Sequence, residues 1–297
     1  MKKIHFIKKN ILRFFFFILI TILFLSFKFE FSKATIGNAF KPISNIIQES
    51  IFTLIKSIPT KSSIINSDNL GNIYLIKESS IEKYTSEGIF INNYSNKSFG
   101  NITSIDVSNP LKILVFYEAF QKVILLDNTL TPTTSSISIE SLGYNQVSMV
   151  CNSHNNGIWM YNKQNSELIF FDQNFKEINK TENIALRYQN HFNPSFLIEQ
   201  NNQIFLNDSS TGILIFDTYG TYFKKISIQG INHFQINGDQ LVFTKKNALK
   251  SYNIKTFEEE EFMLPTTQII DARTEKEKLY LLKQNSLEIY NVKKNKN

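Results

Sequence analysis

The sequence predicts an all-β chain folded as a six-bladed β-propeller with four-stranded antiparallel blades. A short apolar strand that ends in an aromatic residue or leucine, followed by a turn residue, recurs six times. A second strand precedes each copy, and helical periodicity is nearly absent after residue 60. Four short strands in about 40 residues is the repeat length of a propeller blade. A β-sandwich also has many short strands, but it has no reason to repeat at this period.

The last residue of each repeated strand marks the period. These residues are 36 to 45 positions apart, and they are Tyr84, Leu126, Phe171, Phe216, Tyr252 and Tyr290. Polar residues separate the two strands of each pair, as at 78–79, 162–166 and 284–285. This pattern is typical of a β-hairpin. Six copies predict six blades, which we assign to 61–297.

The sixth copy ends after its third strand, at Val292. Because an unpaired outer edge is a liability, we expect the missing outer strand to come from the N-terminal side. A strand over 51–56 is favoured, after helix or coil over 42–50. The competing interpretation is a helix from Pro42 with its apolar residues partly on one face. We therefore predict a linker and closing strand over 35–60.

The N-terminus has the pattern of an export signal. Residues 2–13 are basic, and 14–27 are an apolar run of Phe, Ile and Leu interrupted only by Thr21 and Ser26. A helix of this length covers roughly 21 Å, which is short of the ~30 Å hydrocarbon core of a membrane. We predict a signal peptide over 1–34, with an uncleaved N-terminal anchor as the alternative. The rest of the chain is expected in the periplasm or on the periplasmic face of the outer membrane.

The net charge of +6 comes from this N-terminal segment. Residues 1–34 hold one acid, Glu30, and seven bases, and the remaining chain has equal numbers of acidic and basic residues. The high isoelectric point therefore gives no indication of nucleic-acid binding. The single cysteine, Cys151, excludes a disulfide framework and a zinc site made of several thiolates.

Several acidic residues are candidate metal ligands. Asp68, within 68–74, could be a calcium ligand, but one acid is too few for a calcium loop, and a tight turn is favoured. Asp127, Asp172 and Asp217 follow the third strand of their blades, and we expect each to bond its own turn backbone. The run 258–261 is predicted to be a solvated outer turn, with a patch for a cation or a basic partner as the alternative.

Other candidates for chemistry are isolated. His154, His191 and His233 lack the spacing of metal ligands and are expected on surface loops; His191 lies outside the residues that the structure describes. Cys151 is expected in the core. The sequence has no nucleophile elbow, phosphate loop or dinucleotide glycine motif. We accordingly predict no catalytic residue, no metal and no cofactor.

Three stretches carry a family resemblance. These are the turn and strand at 68–74, the segment 100–117 and the strand at 123–128. They resemble a family of uncharacterised exported propeller-like proteins of Bacteroidetes over about 60–297, which implies no assigned activity. The repeats are also similar to NHL-type and sugar-lactonase-type propellers. The lactonase branch implies a channel metal held by Glu, Asn and Asp, and those ligands find no match here.

The favoured function is a non-catalytic protein-binding or scaffold propeller of the bacterial cell envelope. Two alternatives stay open: a propeller enzyme of lactonase or hydrolase type with a metal in its channel, and a small-ligand or carbohydrate-sensing module. Another envelope protein is the expected partner of a monomeric chain. We expect no nucleic acid, and membrane contact only through the N-terminal segment if it is uncleaved.

The segment 106–112 is the predicted docking region, because loops on a rigid scaffold carry function. The next turn, at 117–120, is expected to present two aromatic side chains to solvent, and aromatic residues are enriched at the centres of interfaces. Trp159, the only tryptophan, is a weaker candidate because it lies in an apolar strand. The predicted partner-binding residues are Asp106, Asn109, Tyr117, Phe120 and Trp159.

Overall fold

The computed structural model describes residues 51–188 and 192–293. The predicted signal peptide or anchor (1–34) and the part of the linker before residue 51 lie outside the described residues. Among those described, no helix is long and apolar enough to cross a membrane.

Six four-stranded antiparallel sheets form the six blades of a β-propeller. The first strand of the described part of the chain, β1 (Phe52–Pro59), belongs to the last blade. From the innermost strand outward, the blades are as follows: blade 1, β2 (Ile64–Ser67), β3 (Ile73–Lys77), β4 (Ser80–Tyr84) and β5 (Phe90–Ser95); blade 2, β6 (Ser104–Asp106), β7 (Ile113–Tyr117), β8 (Lys122–Leu126) and β9 (Ile137–Ser138); blade 3, β10 (Val147–Asn152), β11 (Ile158–Asn162), β12 (Glu167–Phe171) and β13 (Glu177–Lys180).

The remaining blades follow the same order. They are blade 4, β14 (Phe196–Gln200), β15 (Gln203–Asp208), β16 (Gly212–Asp217) and β17 (Tyr222–Ile226); blade 5, β18 (Gln235–Asn237), β19 (Gln240–Lys245), β20 (Ala248–Asn253) and β21 (Glu259–Met263); and blade 6, β22 (Ile269–Glu275), β23 (Lys278–Lys283), β24 (Ser286–Val292) and β1. Short 3₁₀ helices lie at Lys97–Phe99, Glu118–Phe120, Glu140–Leu142 and Ile184–Tyr188.

Blade 6 is closed by the N-terminal strand. β1 pairs antiparallel with β24 from Phe52 opposite Val292 to Pro59 opposite Ser286. The strand that the sequence predicted over 51–56 is therefore present and is longer. Its apolar ends, Phe52 and Ile58, are buried against the blade, whereas the residues between them are exposed.

The repeated strand with its terminal aromatic or leucine is the third strand of every blade. Side chains of the second and third strands alternate between the two faces of each sheet, and both faces are covered by neighbouring blades. Those strands are consequently the most apolar, as in Ile113–Tyr117, where all five residues are buried. The core is a ring of apolar layers between adjacent blades, such as the layer that joins Tyr74 and Ile81 to Ile113 and Val115.

Candidate functional site

The blade geometry gives the propeller two different faces. In an antiparallel four-stranded meander, the first and third turns lie at one end of the sheet and the second turn at the other. We call the end with the first and third turns the turn face. The opposite end, with the second turns and the links between blades, is the link face. The predicted segment 106–112 is a first turn and lies on the turn face, whereas 118–121 is a second turn and lies on the link face.

Asp106 and Asn109 shape the first turn of blade 2. The Asp106 carboxylate accepts hydrogen bonds from the Ser108 N–H at 2.8 Å and, across the blade junction, from the Asn152 N–H at 2.8 Å. The Asn109 side chain accepts from the Leu111 N–H at 3.0 Å. Both predicted residues therefore hold the local backbone, and Asp106 also links blade 2 to blade 3.

Lys112 ends this turn and ties it to the next blade. Its Nζ donates to the carbonyl oxygens of Asn156 at 2.5 Å and Gly157 at 3.0 Å. Burial lowers the pKa of Lys112, and the nearby Asp106 carboxylate opposes that shift. Leu111 lies between Asn109 and Lys112, whose side chains both bond backbone groups, and 72% of its surface is exposed. The turn thus exposes an apolar side chain on a backbone that hydrogen bonds hold in place.

The interpretation of Tyr117 as an exposed turn residue was wrong. It is the last residue of β7 and fully buried, because the strand alternation directs its ring into the layer between blades 1 and 2. There it packs edge-on against Phe99, and its hydroxyl donates to Tyr94 at 3.4 Å. Burial raises its pKa far above the ordinary tyrosine value.

Phe120 and Trp159 have opposite environments. Phe120 is half-exposed on the link face, at the other end of β7 from Asn109, so the structure does not bring these two predicted residues together. Trp159 is fully buried between blades 3 and 4, as its apolar strand indicated. Tyr117 and Trp159 therefore lie beneath the surface.

The aspartates after the third strands have the predicted turn role. The same Oδ1 atom of each accepts from the N–H groups two and four residues later, at 2.8 to 2.9 Å in Asp127, Asp172 and Asp217. Neighbouring blades add further tethers to these turns: Asn92 donates to the Thr129 carbonyl at 2.5 Å, and Asn179 donates to the Tyr219 carbonyl at 2.8 Å. Hydrogen bonds within the turns and from the neighbouring blades therefore hold these turn backbones in place.

Asp68 makes the same kind of turn at a buried position. Its carboxylate accepts from the N–H groups of Leu70 and Asn72, from the Asn72 side-chain amide and from the Tyr74 hydroxyl, at 2.8 to 3.0 Å. The turn interpretation is confirmed by these contacts. Among the described residues, no three or more His, Cys, Asp or Glu side chains are placed together as metal ligands would be.

The acidic run is a strand and not a turn. Glu259, Glu260 and Glu261 lie in β21, the outermost strand of blade 5, and all are exposed. Glu261 pairs with Lys250 of the adjacent strand at 2.7 Å. Charged side chains on an exposed edge strand discourage pairing with another chain.

The two histidines are each tied to a carboxylate. His154 is partly exposed, and its N–H and Nδ1 both contact Oε1 of Glu199, whose carboxylate is almost wholly buried between blades 3 and 4. His233 lines the central channel and not an outer loop. Its Nδ1 lies 3.8 Å from Asp271, and burial lowers its pKa despite that neighbour.

The innermost strands of all six blades enclose a cavity of about 280 Å³. Each of these strands has a hydrogen-bonded neighbour on one side only, so its other edge faces the axis. Side chains bridge part of this edge between blades: the Asn66 amide donates to the Ile105 carbonyl at 3.1 Å, and Gln235 accepts from the Thr274 N–H at 2.8 Å. The cavity is thus a channel with ordered walls, and the sequence alone did not predict which residues line it.

Cys151 lies in the core, as predicted. It is fully buried in β10, and burial raises the pKa of its thiol well above the ordinary value. A thiol in this state is a poor nucleophile.

The turn face carries most of the large apolar side chains that are exposed on the two faces. Exposed fractions between 54% and 78% occur at Leu70, Ile89, Phe90, Leu111, Tyr219 and Phe257, all in or beside first and third turns. They form two groups, one on blades 1 and 2 and the other on blades 4 and 5. On the link face the exposed large apolar residues are Phe120, Leu186, Met263 and Ile270. Contiguous exposed apolar groups mark interaction sites more often than isolated ones do.

Solved structures resemble the chain in fold. The WD40 domain of Neurospora crassa Pan2 is 12% identical with a TM-score of 0.56, and the match covers 82% of this chain and 96% of that one. A chain of the mitotic checkpoint complex is 8% identical with a TM-score of 0.60, over 82% of this chain and 92% of that one. A streptogramin B lyase is 12% identical with a TM-score of 0.56, over 81% and 98%.

The chain is a β-propeller. These identities are too low to carry a function, and the similar structures include both a lyase and a member of a protein assembly. No protein-family model matches the chain, and no curated protein matches it. The resemblance to an exported Bacteroidetes family and to NHL-type propellers therefore stays a prediction.

Proposed function

We propose that the propeller is a non-catalytic binding module of the bacterial cell envelope, which engages a protein partner through its turn face. One observation carries the proposal: exposed Leu, Ile, Phe and Tyr side chains are concentrated on this face. Aromatic anchors supply much of the binding energy at protein interfaces. Little ordering entropy is lost when such anchors already stand on a fixed backbone.

The docking centre is the surface formed by the first turns of blades 1 and 2. Leu70 and Leu111 are exposed there, next to Asp106 and Asn109. Leu70 follows Asp68, whose carboxylate holds the Leu70 N–H at 3.0 Å, and Leu111 is held by Asn109 in the same manner. Equivalent tethering of two neighbouring apolar side chains favours a preformed contact surface.

The test is a pair of substitutions on opposite faces. Leu70→Asp combined with Leu111→Asp places two charges on the turn face without altering a hydrogen bond. Leu186→Asp combined with Met263→Asp places two charges on the link face as a matched control, at side chains that are 77% and 67% exposed. Affinity capture from envelope extracts should lose the partner with the turn-face variant and keep it with the link-face variant, at unchanged thermal stability of both. Equal recovery of the partner by all variants would overturn this docking face.

The compartment is a separate part of the proposal. The basic and apolar N-terminal segment supports export to the periplasm or to the periplasmic face of the outer membrane. N-terminal sequencing of the exported protein distinguishes the two forms. A start at Thr35 would support cleavage of a signal peptide, and retention of Met1 would support an anchor.

A further inference from the structure

The six blades differ in how their outermost strands are protected against pairing with another chain. Natural proteins block an open strand edge with charged side chains, prolines, bulges or very short strands. Five of the outermost strands carry charges or are very short: β1 has Lys56 and Pro59, β9 has only two residues, β13 has Glu177 and Lys180, β17 has Lys224 and Lys225, and β21 has Glu259, Glu260 and Glu261. In contrast, β5 (Phe90–Ser95) has six residues and contains neither a charge nor a proline.

The outer edge of β5 is open. Its backbone pairs with β4 on one side, and on the other side no further strand of the described residues pairs with it. One backbone group is occupied locally, since the Asn93 N–H donates to the Asn92 side chain at 2.8 Å. The pairing of β5 has a register shift beside Tyr84, but β13 and β17 have the same irregularity, so it does not set β5 apart.

Three contacts hold β5 in place on its blade. The Phe90 ring packs edge-on against Tyr84, with the ring centroids 5.7 Å apart. The Asn92 amide donates to the Thr129 carbonyl of blade 2 at 2.5 Å, and Tyr94 is buried in the apolar layer between blades 1 and 2. Because the strand is already ordered, a second strand that adds to its edge loses less conformational entropy on binding.

The side chains at the two ends of β5 differ in chemistry. Residues 89–91 at its start are apolar, and each has between 44% and 62% of its surface exposed. Glu87 precedes this end and is half-exposed, although it also pairs with Lys278 at 2.6 Å. Lys97 follows the other end, is exposed, and has no ion pair among the described residues. The uncharged strand thus lies between an acidic and a basic side chain.

We propose that β5 is an interface at which a second copy of this chain adds its own β5, antiparallel and about a two-fold axis. In that arrangement Lys97 of each copy lies at the same end as Glu87 of the other, whereas a parallel pair would bring like charges together. The other long outer strands would place their own charges against the same charges of a copy, and like charges that face each other across strands are destabilising. The edge of β5 has no such repulsion, so a second copy fits it. This inference does not rest on the proposed docking face.

The test is the oligomeric state of the purified exported protein, with no other protein present. Sedimentation equilibrium is measured over a range of concentrations. We expect a reversible equilibrium between monomer and dimer, with a dissociation constant on the order of 10⁻⁵ M, because an interface built on one edge strand is small and small interfaces are weak. Association should stop at the dimer, because a two-fold interface closes on itself.

Matched substitutions locate the interface. Asn93 is exposed near the middle of β5, and its side chain has no hydrogen bond among the described residues, so Asn93→Lys should fold with unchanged thermal stability. It should raise the dissociation constant of the dimer about tenfold or more, because two like charges meet near the two-fold axis. Ile178→Lys places the same charge at a residue of β13 that is 54% exposed, and it should leave the dimer unchanged. An equimolar mixture of Asn93→Lys and Asn93→Glu proteins should dimerise again.

Four results would overturn the proposal. A monomer at every concentration would support the monomeric chain that the sequence predicts. A dimer that Asn93→Lys leaves unaltered, or that Ile178→Lys weakens equally, would place the interface elsewhere. A mixture of oppositely charged variants that stays monomeric would show that charge at this position does not control pairing, and growth beyond the dimer would show non-specific aggregation. Capture of a partner protein is measured separately, so failure of this interface and failure of the docking face are distinguishable.

Discussion

Asp68 and Asp172 make the same local turn in two different settings. Each carboxylate accepts from the N–H groups two and four residues later, at 2.8 to 3.0 Å. Asp172 lies on an outer third turn and is partly exposed, whereas Asp68 lies on an inner first turn and is only 1% exposed. The two aspartates therefore make the same hydrogen bonds to their turns but differ in how deeply they are buried in the blade.

Depth gives Asp68 partners that Asp172 lacks. The Tyr74 hydroxyl donates to Asp68 at 2.9 Å, and burial together with that carboxylate raises the pKa of Tyr74 far above its usual range. The Lys83 ammonium lies over the Tyr74 ring, 5.3 Å from its centroid, and donates to the Asn128 carbonyl at 2.7 Å. At the rim the aspartate only closes a turn. At the buried position of Asp68, the same motif is also the centre of a network that joins blades 1 and 2.

The largest expected effect is that of Asp68→Ala. It removes the acceptor for the buried Tyr74 hydroxyl and two backbone N–H groups, and it takes a carboxylate away from the neighbourhood of Lys83. We expect a loss of about 4 kcal/mol in the free energy of unfolding, because broken buried polar networks cost ~3–5 kcal/mol. Urea unfolding checks it. A loss below about 1 kcal/mol in the free energy of unfolding would mean that the buried position of Asp68 contributes no more stability than a turn at the rim does.

Tyr74→Phe sharpens the comparison by removing one bond from the same network. The ring stays in the apolar layer of blades 1 and 2, and Asp68 keeps its backbone partners. The expected loss is about 1.5 kcal/mol, as for a hydrogen bond to a charged group. Combined with Asp68→Ala it should add little, and full additivity in the double variant would contradict the shared network.

Asp172→Ala is the rim control. Two exposed backbone N–H groups lose their acceptor and can bond water, so we expect a loss of about 1 kcal/mol, similar to that of a helix cap. Thermal or urea unfolding measures it alongside Asp68→Ala. If the two variants lost equal stability, the distinction between buried and rim turns would be incorrect.

Asp208, which is buried at the second turn of blade 4 on the link face, should make stability depend on pH. Burial alone would raise the pKa of Asp208, but hydrogen bonds from the Ser210 hydroxyl and from the N–H groups of Asn193, Ser210 and Thr211 outweigh it and lower the pKa. The unfolded state therefore binds a proton before the folded state does. Stability should fall as pH decreases below the ordinary aspartate pKa of ~4.

Asp208→Asn should remove part of that acid slope. Urea unfolding is measured for both proteins at a series of pH values from neutral to strongly acidic. The variant should be less stable near neutrality, and the difference should shrink as the pH falls. A difference that stays constant over the whole series would show that Asp208 does not carry the slope.

The blade framework was predictable because it depends on local patterns. The repeated strand ends, the turn role of Asp68 and Asp172 and the closing strand all follow from alternation, turn chemistry and the need to pair an edge. Tyr117 was misassigned because it is the last residue of a strand, where a neighbouring turn and a buried layer compete for the same side chain. Its burial depends on Phe99 and Tyr94 of the preceding blade junction.

The channel could not be predicted because its contacts join remote positions. Gln235, Thr274 and Ser67 meet across three blades, and the inner strands there are as short as the three residues of β18. Strands of this length carry little alternation, so the sequence does not indicate which side chains face the axis. The exposed apolar residues of the turn face are likewise single side chains within turns, without a periodic signal.

The pairing of β1 with β24 also has a consequence for how the chain folds. β1 is made before every other strand described, and the strand it pairs with is made last. Because long-range closure is entropically costly and slow, blade 6 can be completed only when the whole propeller has been synthesised. Until then β1 and the growing array both present open strand edges to the surroundings, and partly folded chains with such edges aggregate. The ring can therefore close only after β24 has been made, and formation of the complete propeller depends on a strand synthesised more than 200 residues earlier.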